Sequence, residues 1–232
     1  MHSSNPQPSL LDSTLTWAEI DLDAIAFNVR GFKRLVGAGV EIFAVVKANA
    51  YGHGAVPVAR VALEAGASRL AVHRAIEAIE LRKQNITAPI LVMGYTPVSG
   101  ASLAVDWQLT PTVTTWEYAQ ALSAIAAAAG VVVPVHIKID TGMNRFGVYP
   151  QEVIPLLEAL KALPAIRLEG IFTHLATADW RDQTYVQPQL ADFRAVLSAC
   201  RHIGIEFPLV HAANSAAAMR LPQSHFNAIR PG

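Results

Sequence analysis

The sequence predicts a (β/α)8 TIM-type barrel, an α/β fold built on one closed parallel sheet. Three features carry that prediction. Near-continuous apolar runs alternate with amphipathic segments along the chain, the pattern of a parallel sheet covered by helices. Counting from Glu41 there are seven such runs and the beginning of an eighth, so the barrel is expected to stop within or just after the start of its eighth strand. The first run is followed by AYGHG, which lacks the G-x-G-x-x-G spacing of an open dinucleotide-binding sheet.

The elements follow in order. Residues 1–15 have no basic start and no long apolar stretch, so they read as a flexible tail rather than a secretory signal. Residues 16–232 read as one domain. TWAEIDL is strand-like, and Asp21 or Asp23 can cap a helix in which Ile25, Val29, Phe32 and Val36 share a face,. EIFAVVK is the first barrel strand. A helix over 53–67, strand RLAVH, a helix over 74–83, strand PILVMG, a short helix near Ser99, strand LTPTV and a helix over 115–129 come next. The second half continues with strand VVVPVHIKID, a helix around 152–163, strand AIRLEGIFTH, a helix around 187–201, strand FPLVHAA, a short helix over 214–220 and the stub FNAIR.

Bulk properties narrow the function. Hydrophobic residues make up 52% and mean hydropathy is +0.31, so a membrane span has to be considered. The best candidate, residues 121–137, is interrupted by Ser123, Gly130 and Pro134, whereas a span needs about 20 consecutive apolar residues. A helix, its glycine stop and a buried strand explain that stretch better. Eighteen basic residues balance eighteen acidic ones, so no net field draws the chain to nucleic acid or to an anionic membrane. A small-molecule partner is expected, with no metal. The single cysteine, Cys200, allows no internal disulfide and makes the cytoplasm the default compartment.

Polar residues recur at the carboxyl ends of the expected strands. Lys47 and Asn49 close the first, Arg145 follows the fifth, His174 ends the sixth, Asn214 and Ser215 end the seventh, and Arg230 lies in the eighth. Each alone has an ordinary explanation, such as a solvated lysine or a helix cap. Together they mark the end where barrel enzymes build their sites. On the fifth strand His136, Lys138 and Asp140 share one side, and Val135, Ile137 and Ile139 the other,. The apolar side should face the helices and the polar trio the lumen. There the lysine and aspartate must pair or neutralise, and an ion pair filling the lumen explains them as well as a functional role does. The trio would brace Arg145, whose planar fork suits a carboxylate. Low dielectric and neighbouring cations such as Arg145 or Arg230 should lower the pKa of Lys47 and free its amine to condense with aldehydes. Ala48, Ala50 and Gly52 leave room for a flat ligand.

Five stretches, AVVKANAYGHG, IKIDTGMNRFG, THLATAD, HAANSAA and FNAIRPG, occur in the order and approximate spacing of one family. The chain resembles the N-terminal pyridoxal-phosphate-binding barrel domain of the alanine racemase family from TWAEIDLDAI to IRPG. The resemblance implies interconversion of L-alanine and D-alanine, the D-isomer serving cell-wall (peptidoglycan) synthesis, in a cytoplasmic homodimer with pyridoxal 5'-phosphate as cofactor. Lys47 would hold the cofactor and then act as one of two acid/base groups at the substrate α-carbon. Tyr51, Ser215 and the backbone amide of Gly232 would bind the phosphate, with Asn214 supporting them. Arg230 would hydrogen-bond the pyridine nitrogen, buttressed by His174. Arg145 would sit near the cofactor phenolate and the substrate carboxylate, and Lys138 would be the lysine carbamylated in some members.

Two departures stand out. Asn144 occupies a position that is glycine in many members, a change expected to be tolerated in a loop. The family's second, mostly β, domain has no counterpart in this sequence, and with it goes the tyrosine that acts as the opposite-face base from the partner subunit. Loss of a general base costs about a hundredfold to ten-thousandfold, so the chain alone is expected to bind the cofactor and racemise poorly. Two other readings differ in class: a non-catalytic pyridoxal-phosphate homeostasis protein with one barrel, favoured by length, and a barrel-type amino-acid decarboxylase. Tyr-Gly-His-Gly and TGMNRFG look more like the racemase.

Overall fold

The computed structural model describes residues 16–232; the expected tail over 1–15 lies outside them. Eight parallel strands close in sequence order: β1 (Glu41–Val45), β2 (Arg69–Val72), β3 (Ile90–Val92), β4 (Thr110–Val113), β5 (Val133–Lys138), β6 (Ile166–Phe172), β7 (Leu209–Asn214) and β8 (Ala228–Arg230). Short as it is, β8 pairs with β1 through Glu41↔Ala228 and Ile42↔Ile229, so the predicted barrel is closed. Helical segments intervene: α1 (Leu22–Val36), α2 (Lys47–Tyr51), α3 (Ala55–Glu64), α4 (Ala75–Lys83), α5 (Ala101–Asp106), α6 (Trp116–Ala128), α7 (Val153–Leu160), α8 (Val186–His202) and α9 (Ser215–Arg220). Among the described residues no helix is long and apolar enough to cross a membrane, and the apolar run over 121–137 divides into most of α6, a glycine stop and β5.

The sheet has two apolar faces. Outward residues such as Ile42, Leu70, Val135, Ile137 and Ile139 are sealed against the helices, each buried aliphatic side chain being worth about 1.5–3 kcal/mol. Inward, Phe43, Val45, Ala71, Leu91, Leu209 and Ala228 form a separate lumen cluster. His136 and Lys138 are buried on the opposite side of β5 from Val135, Ile137 and Ile139, the alternation that period 2 requires.

Three local readings are corrected. TWAEIDL forms no strand: residues 16–21 carry no strand assignment and Trp17 is 64% exposed, because an alternating run becomes a strand only where another backbone pairs with it, and none of the described residues does. Asp21, not Asp23, caps α1, accepting the Ala24 N–H at 3.0 Å. β5 is shorter than the apolar run that predicted it, since Val131 and Val132 lie exposed ahead of it.

One irregularity shapes the interior. Val135 pairs with Leu168 and His136 with Gly170, which leaves Glu169 as an extra residue in β6. Strict alternation would send Glu169 to the face opposite Gly170; the bulge turns it inward instead, where its carboxylate reaches the His136 ring.

Candidate active site

The carboxyl end of β1 leads into an unusual turn. Ala48, Asn49 and Ala50 all have φ and ψ near +50°, and Tyr51 has a φ of 56°. A left-handed turn of residues with side chains costs roughly 1–2 kcal/mol per residue, so its surroundings must hold it. Glu77 does much of this: one carboxylate accepts the backbone N–H groups of Ala48 (2.7 Å), His73 (2.8 Å) and Arg74 (2.8 Å). Burial alone would raise the Glu77 pKa, and the three backbone donors reverse that to a net decrease. From the other side Asn49 accepts the Ala55 N–H at 2.7 Å, starting α3. The turn leaves Lys47 half-buried at the rim rather than sealed in the lumen. Its amine lies 5.8 Å from the Tyr51 ring centroid.

Tyr51, Ser215 and Gly232 meet beside it. The Gly232 N–H and the Ser215 Oγ are 3.0 Å apart, and a Cβ added to Gly232 would fall 2.8 Å from the Tyr51 hydroxyl. Only glycine lets the tyrosine approach this closely. Asn214 acts one step back, its Oδ1 accepting the Ala217 N–H at 2.9 Å and so capping the turn that presents Ser215.

Behind β5 the expected Lys138–Asp140 ion pair is absent among the described residues. Lys138 instead donates to the Phe146 carbonyl, with its amine 4.2 Å from the Phe146 ring centroid. Asp140 accepts the N–H groups of Gly142 and Asn144, both at 3.0 Å. The carboxylate therefore folds the loop that carries Arg145 and acts on the lysine only through space. Asn144 has a φ of 55°, a conformation that asparagine tolerates better than most residues. Burial first, opposed by Asp140 and reinforced by Arg145 and Arg230, brings the Lys138 pKa down to about 8.

Arg230 is braced by His211 rather than by His174. Its Nη1 lies 2.6 Å from His211 Nδ1, and its Nη2 donates to the carbonyls of Thr173 (2.8 Å) and Ala212 (3.1 Å). His174 lies past the end of β6, whereas strand alternation and a register shift between His211 and Asn214 place the His211 ring beside the guanidinium. His174 has a different place: burial first, then Arg230, Arg145, Lys138 and Lys47, lower its pKa to about 3. Four basic side chains thus act electrostatically on this one imidazole. Burial lowers the Arg230 pKa to about 9, still high enough to keep it a guanidinium near neutral pH.

Sequence reasoning missed Glu77, His211 and Glu169. Glu77 makes half of a capping box by accepting the Arg74 N–H, but arginine in place of serine or threonine at the N-cap removes the sequence signature. Nothing in FPLVHAA distinguishes a working histidine from a lumen filler, and a bulge that turns a glutamate inward leaves no pattern in the sequence.

Residues 20–232 match the family model described as alanine racemase, N-terminal domain. The chain is 48% identical to the alanine racemase of Desulforamulus reducens over 217 residues, covering 93% of this chain and 59% of that protein. It is 47% identical to that of Clostridium perfringens, covering 93% and 56%. Among solved structures it superposes on the alanine racemase of Clostridium difficile 630, in complex with cycloserine, with a TM-score of 0.91 and 40% identity over 95% of this chain and 61% of that one. Against the Bacillus anthracis enzyme with bound L-Ala-P the TM-score is 0.87 at 42% identity, covering 92% and 55%. The chain spans less than two thirds of the length of these relatives. With this identity carried across almost all of its own residues, the chain belongs to the alanine racemase family, as its N-terminal barrel domain.

Proposed function

We propose that this chain is the pyridoxal-phosphate-binding barrel of an alanine racemase, acting on L-alanine and D-alanine in a cytoplasmic homodimer and serving peptidoglycan synthesis. The observation that carries the reading is the meeting of Tyr51, Ser215 and Gly232 beside the Lys47 amine at the mouth of the barrel, where Lys47, Lys138, Arg145 and Arg230 all act to lower the pKa of one histidine, His174. Such a concentration of positive charge calls for anions. A phosphate and a carboxylate on one small ligand would meet it.

The residues present fit the cofactor. Two hydroxyls and a backbone N–H would give a phosphate several donors without a full counter-charge, with the mutual Ser215–Gly232 hydrogen bonds exchanged for bonds to the phosphate, and Lys47 beside Tyr51 would supply an amine for its aldehyde,. When bound, pyridoxal phosphate supplies an electron-withdrawing ring that acidifies the α C–H of an attached amino acid. Lys47 would hold or take the proton at the substrate Cα from one face. Arg230 keeps its own proton, so it would hold the ring nitrogen without protonating it and would thereby disfavour transamination. Arg145 would take the substrate carboxylate with its planar fork. The base for the opposite face is expected from sequence beyond this chain, in the partner subunit.

Borohydride reduction after incubation with pyridoxal phosphate should place a pyridoxyl adduct on Lys47 by peptide mapping; an adduct elsewhere, or none on folded protein, removes the assignment. Incubation with L-alanine in heavy water then tests chemistry. Deuterium at Cα with D-alanine formed supports the racemase, and cofactor binding without exchange supports a non-catalytic barrel.

A further inference from the structure

The lumen holds a single-file chain of hydrogen bonds running from the mouth towards the floor. Arg230 Nη1 lies 2.6 Å from His211 Nδ1, His211 Nε2 lies 2.8 Å from His136 Nδ1, and His136 Nε2 lies 3.4 Å from Glu169 Oε2. Both imidazoles are fully buried, so no solvent contact replaces a missing partner. Their rings are held in place: Phe172 stacks on His211 with centroids 4.9 Å apart at 8°, and Phe43 packs edge-on to His136 at 5.9 Å.

The two ends of this chain allow one arrangement of protons. A guanidinium only donates, so His211 can hold it only through an accepting Nδ1, with its own hydrogen on Nε2; without an acceptor at the far end, His136 would keep its hydrogen on Nδ1 and reverse that order. The His211 hydrogen points at His136 Nδ1, which must then accept, placing the second hydrogen on Nε2 and directing it at a carboxylate that only accepts. A charged imidazole at either position would set two donors against each other. In keeping with this, burial is the first cause lowering the pKa of both histidines, and the His136 hydrogen bond is the first cause bringing Glu169 down to about 2.

We propose that Glu169 is a positioning residue for Arg230: acting through His136 and His211, it fixes both rings as neutral Nε2–H tautomers and so leaves His211 Nδ1 free to hold the guanidinium. Two features of the fold exist for this contact. The bulge that makes Glu169 the unpaired residue of β6 turns its carboxylate inward, and Gly170 beside it leaves space for the His136 ring. Arg69 Nη1 and Arg167 Nη2, each 3.3 Å from a Glu169 oxygen, hold the carboxylate from the floor. The pyridine-nitrogen role of Arg230 rests on the proposed function; the tautomer chain does not.

The test uses the cofactor-free chain labelled with 15N-histidine, read by long-range proton–nitrogen correlation spectra between about pH 5 and 8, the range in which an ordinary histidine changes charge. Both rings should appear as neutral Nε2–H tautomers throughout. Glu169→Gln, whose amide oxygen can still accept, should preserve this, while Glu169→Leu should lose the uniform tautomer at His211, two links away. A carboxylate that merely supported the floor would change the urea midpoint and leave the His211 signals unmoved. Should Glu169→Leu not fold, Glu169→Asp, too short to span the gap, puts the same question. An Nδ1–H tautomer at either ring in the native chain, or unchanged His211 signals in the Leu or Asp variant, overturns the proposal. Failure of the native chain to form the Lys47 adduct would remove the proposed function and leave this result standing.

Discussion

Gly170 lies directly against the ring of His136: a Cβ built on it would fall 2.4 Å from Cε1, 2.5 Å from Nδ1 and 2.7 Å from Nε2. The two residues are partners across β5 and β6, and the missing side chain is the space the imidazole occupies. Gly170→Ala forces the ring or the strand to move, at a cost of about 1–3 kcal/mol. The measurement is the urea midpoint, and a variant as stable as the native chain would show that the ring does not fill this space.

Acid should destabilise the cofactor-free protein in part through His174 at the mouth. His174 has a pKa lowered from 6.5 to about 3, so between those values the unfolded chain binds the proton and the folded one does not. Its contribution is fully present above 6.5 and is lost as pH falls towards 3. His174→Gln should flatten the dependence of the urea midpoint on pH across that window. An unchanged slope would mean that the imidazole is already charged in the fold.

Lys138 should take up carbon dioxide. With a pKa near 8, an appreciable share of the amine is neutral near pH 7.5, and attack on CO2 forms an N–C bond with release of one proton. The product carries a negative charge among the cations of the mouth. Intact-mass spectra at high and low CO2 should differ by one CO2, and Lys138→Gln should abolish the difference; identical spectra for the native chain at both levels would argue against the modification.

Glu77→Ala leaves three backbone donors without their acceptor. Hydrogen bonds to a charged group are worth about 1.5–3 kcal/mol, and water can replace part of what is lost at the exposed rim, so a net loss of about 2 kcal/mol is expected. Borohydride trapping at Lys47 should also slow, because the turn that presents the amine loses its main tie. Stability loss with an unchanged trapping rate would confine Glu77 to the start of α4.

The architecture was legible because a parallel barrel repeats one simple signal. Runs such as RLAVH, PILVMG and LTPTV each became a strand, since burial on both faces demands apolar residues at every position. The signal failed where a strand needs a partner that the sequence does not name, as in TWAEIDL. It also failed to show pairing between side chains: Lys138 and Asp140 suggested an ion pair by spacing alone, yet the loop after β5 claimed the aspartate. The mouth residues were found because the C-terminal ends of barrel strands are a known address. His211 and Glu169 lie deeper, where a polar residue in an apolar strand has no such address.

The seam between β1 and β8 joins Glu41 to Ala228, so closure links positions roughly 190 residues apart, the kind of non-local pairing that slows folding. At roughly 5–20 residues per second, a ribosome needs on the order of ten to forty seconds to deliver the second half of that seam. Throughout this interval the backbone of Glu41–Val45 offers a bare edge to neighbouring nascent chains. Stalled chains ending before Asn227 should therefore be cut readily by protease near Phe43, and those extending past Arg230, once clear of the exit tunnel, should resist.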